Sequence, residues 1–383
     1  MPSVKNHIYF FVLLLTTCLA ACHQAYNPPA ITAANNYLVV DGFINIGANA
    51  VTTFNLNRSR NLGDSTVTGI PELNAVASIV SSSGASYPLT DTANTGLYSS
   101  APLNLDITQQ YSIAITTSDG QKYSSEPVPC KQTPPIDSLY FQQPSDLIIY
   151  VNTHDPTGNT RYYRYDYQET WEHDAELSTP WIAVNDTLQA TDSTNQKSQC
   201  WSTAPSTNII LATSSALAQD IIVAFPVETI PQGDARLEIG YSILVRQYAM
   251  TEDAYNYWLL IQKTSQELGT LFDIQPTQLI GNIHCLTNPS APVIGFISAS
   301  SVQQQRINIY ISSLTNWIHN SPGLNCGTIE IGYNASDFPA FSYPDTSYGP
   351  YYFNGPDSLV LAPSFCTNCL YFGGTTTKPS FWP

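Results

Sequence analysis

From Tyr37 onward, apolar and polar positions alternate in short runs broken by Gly, Pro, Asn and Asp. Tyr37–Ile46, Val51–Leu56, Ala75–Val80 and Tyr111–Thr117 read as strands, because a period of two puts alternate side chains on opposite faces and gives each run one face for a core. In the last of them Tyr111, Ile113 and Ile115 alternate with polar neighbours and lead into Asp119-Gly120, a hairpin signal, before Lys122–Ser125. Strands at this spacing with no helical period between them predict a β-sandwich over 37–130, of the immunoglobulin or transthyretin kind. The stretch E-P-V-P-C-K-Q-T-P-P at 126–135 marks its boundary, since Pro cannot continue a central ladder.

Residues 136–383 read as a larger antiparallel β domain. Its strand candidates are Leu147–Val151, Tyr162–Glu172, Asn208–Leu211, Ile221–Val227, Arg236–Tyr248, Val293–Ser298 and Ile307–Ile311. Leu237, Ile239, Tyr241, Ile243 and Val245 alternate with Glu238, Gly240, Ser242 and Arg246, so one face is buried and the other mostly polar. Residues 251–269 break the pattern with an amphipathic helix. Thr251 suits the N-cap, Glu252 and Asp253 face the positive end of the dipole, and Gly269 suits the left-handed position after the last turn. Ala254, Tyr257, Trp258 and Ile261 share one stripe. The fold expected is therefore mainly β, a sandwich followed by a larger β domain with one inserted helix.

The first residues belong to another code. Residues 1–21 carry Lys5, an apolar run from Ile8 to Leu15 and a small-residue close, which is the layout of a secretory signal peptide too short to span a bilayer. Leu19-Ala20-Ala21-Cys22 looks like a bacterial lipobox, with cleavage before Cys22 and acyl chains added to it. Residues 22–36 then form the lipidated Cys and a polar, Pro-bearing tether. Charged residues are only 11% of the chain, which carries 13 basic and 29 acidic residues. Removing Lys5 with the signal leaves 12 basic residues, or a net charge of −17. Such a surface repels nucleic acid and anionic headgroups, so neither is expected as a partner.

Candidate chemistry is sparse. No Gly-x-Ser-x-Gly elbow or histidine signature is present, so no catalytic residue is assigned and the chain reads as a non-enzyme. Cys130, Cys200, Cys285, Cys326, Cys366 and Cys369 remain after Cys22, an even count that reads as disulfides in an oxidising envelope, with metal ligation and free thiols as the alternatives. Bridging Cys326 to Cys366 or Cys369 would close a loop of about 40 residues, worth roughly 3–4 kcal/mol, so this pairing is expected. No metal and no cofactor are expected. The run R-Y-Y-R-Y-D-Y-Q-E-T-W-E at 161–172 puts Tyr163, Tyr165, Tyr167, Glu169 and Trp171 on one strand face. That face is either a stacking platform for a sugar or other cyclic ligand, or core with its polar tips satisfied. The loop 341–356, with Tyr348, Tyr351 and Tyr352, is either a binding surface or packing over the domain's end.

These stretches together resemble the Bacteroidota outer-membrane lipoproteins of the domain of unknown function 4249 family. The likeness is carried by Tyr37 to Gly42, Tyr163 to Glu172, Tyr241 to Tyr248 leading into T-E-D-A-Y-N-Y-W, F-D-I-Q-P at 272–276, Gly281-Asn-Ile, G-F-I-S-A-S-S at 295–301, and the ending C-x-x-C, G-G-T and K-P-x-F-W. The resemblance implies a lipid-anchored accessory that works with a TonB-dependent receptor in capturing or importing a glycan, peptide or other small nutrient. It carries over no ligand residues. His23 to Asn27 lack the acidic residues that often follow the lipidated Cys of surface-exported members, so the leaflet stays open. The alternatives are an envelope hydrolase using Glu169, Glu172 or Asp174 as acid and base, and a structural or adhesive surface protein, for which repeats would be expected and none are seen.

Overall fold

In the first body, backbone pairing runs around a closed circuit. Leu38–Asn45 pairs with Thr53–Arg58, which continues through Leu97–Ser100, Ser86–Thr90, Val76–Ser81, Gln110–Thr116 and Val128–Lys131. The gap back to Leu38–Asn45 is filled by Ala299–Ser300, parallel to both of its neighbours. Side chains facing inward form one core around Val40, Ile44, Phe54, Leu56, Ile79, Tyr98, Tyr111, Ile113 and Ile115. This is the computed structural model of the chain, and it describes residues 36–60, 69–184, 187–192, 195–266, 281–317, 324–332 and 348–383. The signal segment, Cys22, nearly all of the tether and Gly269 lie outside the described residues.

The closing segment comes from far along the sequence. Leu38 faces Val293 and Ile44 faces Ala299, so both bridges share one parallel register along 293–300. The amides of Ile44 and Ile46 donate to the carbonyls of Ser298 and Ser300 at 2.8 and 3.1 Å. Gly295 makes the fit possible. Its φ is +140°, and a Cβ there would lie 2.2 Å from the Val40 carbonyl oxygen. Ile283–Cys285 extends the same sheet beyond Lys122–Ser125. Residues 281–300, which the sequence pattern assigned to the second domain, thus complete the first. The chain leaves the first body after Val128–Lys131, which still pairs within it, and later returns.

The second body is a sandwich. Ile136–Gln142, Leu147–His154 and Ile221–Ile230 form an antiparallel sheet. The facing sheet has Gln199–Pro205 and Ile210–Thr213 on one side of Tyr162–Asp174, with Gly240–Met250 and then Val302–Tyr310 on the other. Leu147, Ile149 and Val151 from the first sheet meet Tyr163, Tyr165, Tyr241, Ile243 and Val245 from the second in one core. The strand expected from Arg236 begins only at Gly240, because Asp234 caps a turn of 3-10 helix over Ala235–Leu237. The helix spans Glu252–Ser265, and the Thr251 hydroxyl accepts the Ala254 amide as its sequence predicts. Ala254 and Tyr257 are its buried residues.

Two chain crossings, 131–136 and 300–302, bind each other where the bodies meet. The Thr133 amide donates to the Ser301 hydroxyl at 2.9 Å, its hydroxyl donates to the Ser301 carbonyl, and it accepts the Ala249 amide at 2.9 Å. Gln247, fully buried, donates to the Pro134 carbonyl at 2.8 Å. Every partner here is backbone or a fixed side chain, so the junction is a polar lock rather than a linker.

A third, smaller unit lies at the C-terminal end. Ile329–Gly332, Ser358–Pro363 and Tyr348–Phe353 form a sheet beside the hairpin Trp181–Val184 and Thr187–Ala190. Disulfides Cys326–Cys366 and Cys200–Cys369 fasten it, with Cα atoms 5.9 and 5.7 Å apart. Cys326 therefore meets one of the pair as expected, and the other reaches back to the second body. Cys130 and Cys285 depart from the expectation of six paired cysteines and are thiols. Cys285 pairs beside Tyr123, whereas Cys130 lies at the far end of the arm Lys122–Lys131. At ~3.3 Å per residue the two are on the order of 20 Å apart, too far to bond.

Two outcomes follow. Gly295→Ala should destabilise the chain by about 2–4 kcal/mol in urea unfolding, because the new Cβ meets the Val40 carbonyl and the residue is held at positive φ. Replacing Cys326 and Cys366 together by Ser should release the last segment to protease while leaving amide exchange of the first body's core unchanged, the lost bridge being worth roughly 4 kcal/mol.

Candidate binding cleft

The face that carried two readings in the sequence is core. Tyr163, Tyr165 and Tyr167 are buried between the two sheets of the second body, and Trp171 is packed against the same cluster. The stacking platform is thus corrected: no face of these rings is open to a sugar. Two of the three tyrosine hydroxyls are hydrogen-bonded, whereas that of Tyr165 is buried without a partner among the described residues. Tyr163 donates to Asp220 at 2.7 Å, and Tyr167 donates to Glu228. Burial pushes both phenols well above their ordinary pKa.

Glu169 closes a polar network at the end of that core. It accepts from Arg236 at 2.7 Å and from the Tyr241 hydroxyl at 2.9 Å. Arg236 also pairs with Asp234 at 3.0 Å and Glu228 at 3.5 Å. Burial alone would lower the Arg236 pKa, but hydrogen bonding to Asp234 and the charge of Glu169 hold it above its ordinary value. Burial raises Glu228, and Tyr167 and Arg236 pull it part of the way back. The acid–base pairing read from the sequence is not assembled here. Glu172 lies on the opposite face of the strand from Glu169, accepting from Gln199 and from the Trp382 indole, and Asp174 is exposed at the strand's end. Glu169 and Glu172, on opposite faces of one sheet, cannot flank one bond; Glu172 and Asp174 share a face, and burial with the charge of Glu172 raises the Asp174 pKa.

Of the loop aromatics, Tyr348, Tyr351 and Tyr352 lie on the strand Tyr348–Phe353 of the C-terminal unit; residues 341–347 lie outside the described residues. Tyr351 and Tyr352 stack edge to face with ring centres 4.9 Å apart, and Tyr352 is exposed. Pro350, Trp181, Lys197 and Asn368 line a shallow groove beside them. Next to Asn368 the chain turns through Leu370, Tyr371 and Phe372, which are 39%, 58% and 48% exposed. Three large exposed apolar side chains thus follow one another on a turn fixed by the Cys369 disulfide.

A second opening lies where the two bodies meet. Its walls are Asp41, Gly42 and Phe43 from the first strand, Phe296, Ser298 and Ser300 from the returning segment, and Arg164, Tyr248, Met250 and Trp258 from the second body. Arg164 sits on the outward face of Tyr162–Asp174, opposite Tyr248 across the ladder. Its guanidinium is 4.8 Å from the centre of the Tyr248 ring and 4.7 Å from that of Trp258, within cation–π distance of both. Tyr248 is itself fixed, edge-on to Phe43 at 5.1 Å and hydrogen-bonded to Asp166. Arg161, Arg236, Arg246 and Arg306 all donate hydrogen bonds. Arg164 has no hydrogen-bond or ion-pair partner among the described residues.

A family model described as Domain of unknown function (DUF4249) matches residues 24–306. The chain belongs to the DUF4249 family. That match takes in the closing segment 293–300 and every residue lining the cleft between the bodies, and it stops short of the C-terminal unit. No curated protein matches the chain. For this DUF4249 chain, sequence reasoning passed over Arg164 because the inward tyrosines of R-Y-Y-R-Y drew the argument. The available signal was parity: an even-numbered Arg between buried odd-numbered tyrosines must face outward. Among the described residues, no group of three His, Cys, Asp or Glu converges on a metal position.

If the Glu169 network is structural, Arg236→Met should cost about 3–5 kcal/mol, since it strands buried carboxylates. The sign of its pH dependence follows from Glu228. Its folded pKa is raised, so the stability it contributes is full below its unfolded value of about 4.3 and is lost as pH rises through the folded value. Removing Arg236 raises it further. The deficit of the variant should therefore be small near pH 4 and grow toward pH 7, which denaturant midpoints at the two pH values will read.

Proposed function

We propose that this chain is a non-catalytic, lipid-anchored accessory of the bacterial outer membrane that works with a TonB-dependent receptor in nutrient capture or import. The observation that carries the reading is the turn at Leu370, Tyr371 and Phe372. Three exposed apolar side chains are held in one geometry by the Cys200–Cys369 bond, by the Cys369 amide donating to the Lys197 carbonyl, and by Gly373 and Gly374 at positive φ. Pre-ordering such a surface lowers the entropy lost on docking, which is what a protein contact gains from a disulfide. Structural disulfides suit an oxidising envelope, in line with the signal segment and with Cys22 as the lipid anchor. Glu169 is held in an ion pair with Arg236 and lies on the opposite strand face from Glu172, which favours binding over catalysis. What the family resemblance adds is the identity of the partner, the TonB-dependent receptor.

Affinity purification of the mature, lipidated chain from membranes should recover a TonB-dependent receptor. Replacing Leu370, Tyr371 and Phe372 together by Ser should reduce that recovery at least about tenfold, as expected for loss of a hot-spot cluster, without changing the melting temperature. Cys22→Ser should move the chain from the membrane to the soluble fraction. Recovery of only soluble periplasmic proteins, with the anchored chain intact, would contradict the proposal.

A further inference from the structure

We propose that the cleft between the two bodies binds the carboxylate of an amino acid or peptide, with Arg164 as the recognising group. This goes beyond the accessory role and rests on the cleft alone. The guanidinium presents N–H donors in a rigid fork that matches a carboxylate, and it lies over the rings of Tyr248 and Trp258, 4.8 and 4.7 Å from their centres. What is left for a ligand is the edge of the fork, where bidentate pairing happens. The hydroxyls of Ser298 and Ser300 line the same opening and can add donors. An arginine without a partner is unexpected in a chain with 13 basic and 29 acidic residues, where carboxylates to pair it are abundant.

Size and charge narrow the class. The innermost space of this partly open cleft is about 30 Å³, room for roughly two waters, which suits a group of carboxylate size. A sugar ring or a nucleotide does not fit inside, although the remainder of a ligand can extend from the open side. Asp41 is exposed on the same wall and forms no ion pair with Arg164. Its charge opposes a bare anion and a dianion still more, and it favours a ligand whose carboxylate is accompanied by an ammonium. The chemistry is therefore that of an amino acid or peptide rather than of phosphate.

Titration of the purified, full mature chain with glycine, acetate and inorganic phosphate, read by calorimetry, tests this. Saturable binding is expected in the order glycine, acetate, phosphate. Arg164→Gln should weaken glycine at least tenfold. Arg164→Lys, which keeps the charge but not the fork, should recover only part of it at an unchanged melting temperature. Asp41→Asn should abolish the preference of glycine over acetate. Triglycine against its C-terminal amide separates the sources: a peptide ligand predicts binding of the acid and at least tenfold loss with the amide, and a free amino acid predicts glycine alone. Absence of saturable binding by any of these carboxylates, tightest binding by phosphate, or an Arg164→Gln protein that binds glycine as wild type would overturn the proposal. None of these outcomes bears on receptor recovery, so the two readings fail separately.

Discussion

The parallel pairing of 293–300 with Leu38–Asn45 is the contact on which the rest of the molecule depends. Without it the first body would have two open edges, Leu38–Asn45 and Val128–Lys131, each a template for pairing with another chain. Its core would also lose Val293, Ile297 and Ala299, all buried. The same segment then continues as Val302–Tyr310 in the outer sheet of the second body, so one stretch of backbone is a structural strand in both. A linker between domains allows relative motion by default. Here two crossings are tied side to side by Thr133, Ser301 and Gln247, and the cleft inherits its shape from that tie.

Much of this could be read from the sequence, and what could not has a physical reason. The alternations at Tyr111–Thr117 and 241–245 gave the correct inward faces, because period-two burial is local. Thr251 and the stripe through Ala254 and Tyr257 likewise gave the helix, since caps and amphipathicity are written within one segment. The staple at Cys326 was legible from the loop length it would close. The return of 281–300 to the first body was not, because Val293–Ile294 and Ala299–Ser300 are brief bridges whose partners lie far off in the sequence. Parallel pairing at that range leaves no turn signal. Strand parity placed the tyrosines of 163–167 on one face but could not say whether a second sheet covered it. Leu139, Leu147 and Ile149 do.

Burying so many tyrosines sets the electrostatics of the second body. Each phenol needs an acceptor, and in this chain the acceptors are largely carboxylates: Asp220 for Tyr163, Glu228 for Tyr167, Glu169 for Tyr241. A carboxylate at the edge of a core costs free energy unless paired. Arg236 meets that need for three of them at once, through Glu169, Glu228 and Asp234. The cluster has the composition of an active site and the geometry of a plug. Glu169, Glu228 and Asp234 each bind Arg236, and Glu169 and Glu228 also bind a buried tyrosine hydroxyl.

Arg164 is the contrast that gives the cleft its meaning. It shares a strand with Tyr163 and Tyr165 but points the other way, and its near neighbour Asp166 is taken by Arg246. Rings rather than acids surround it. Aromatic faces attract a guanidinium but leave its N–H edge unsatisfied, so they fix its position without using the groups that recognise an anion. An acid in place of either ring would have stabilised the fold more directly and closed the site. A cation held against two rings, unpaired and between two bodies, is arranged for something that arrives from solution, and in an acidic chain the arriving group must be small enough to fit and carry enough positive charge of its own to approach.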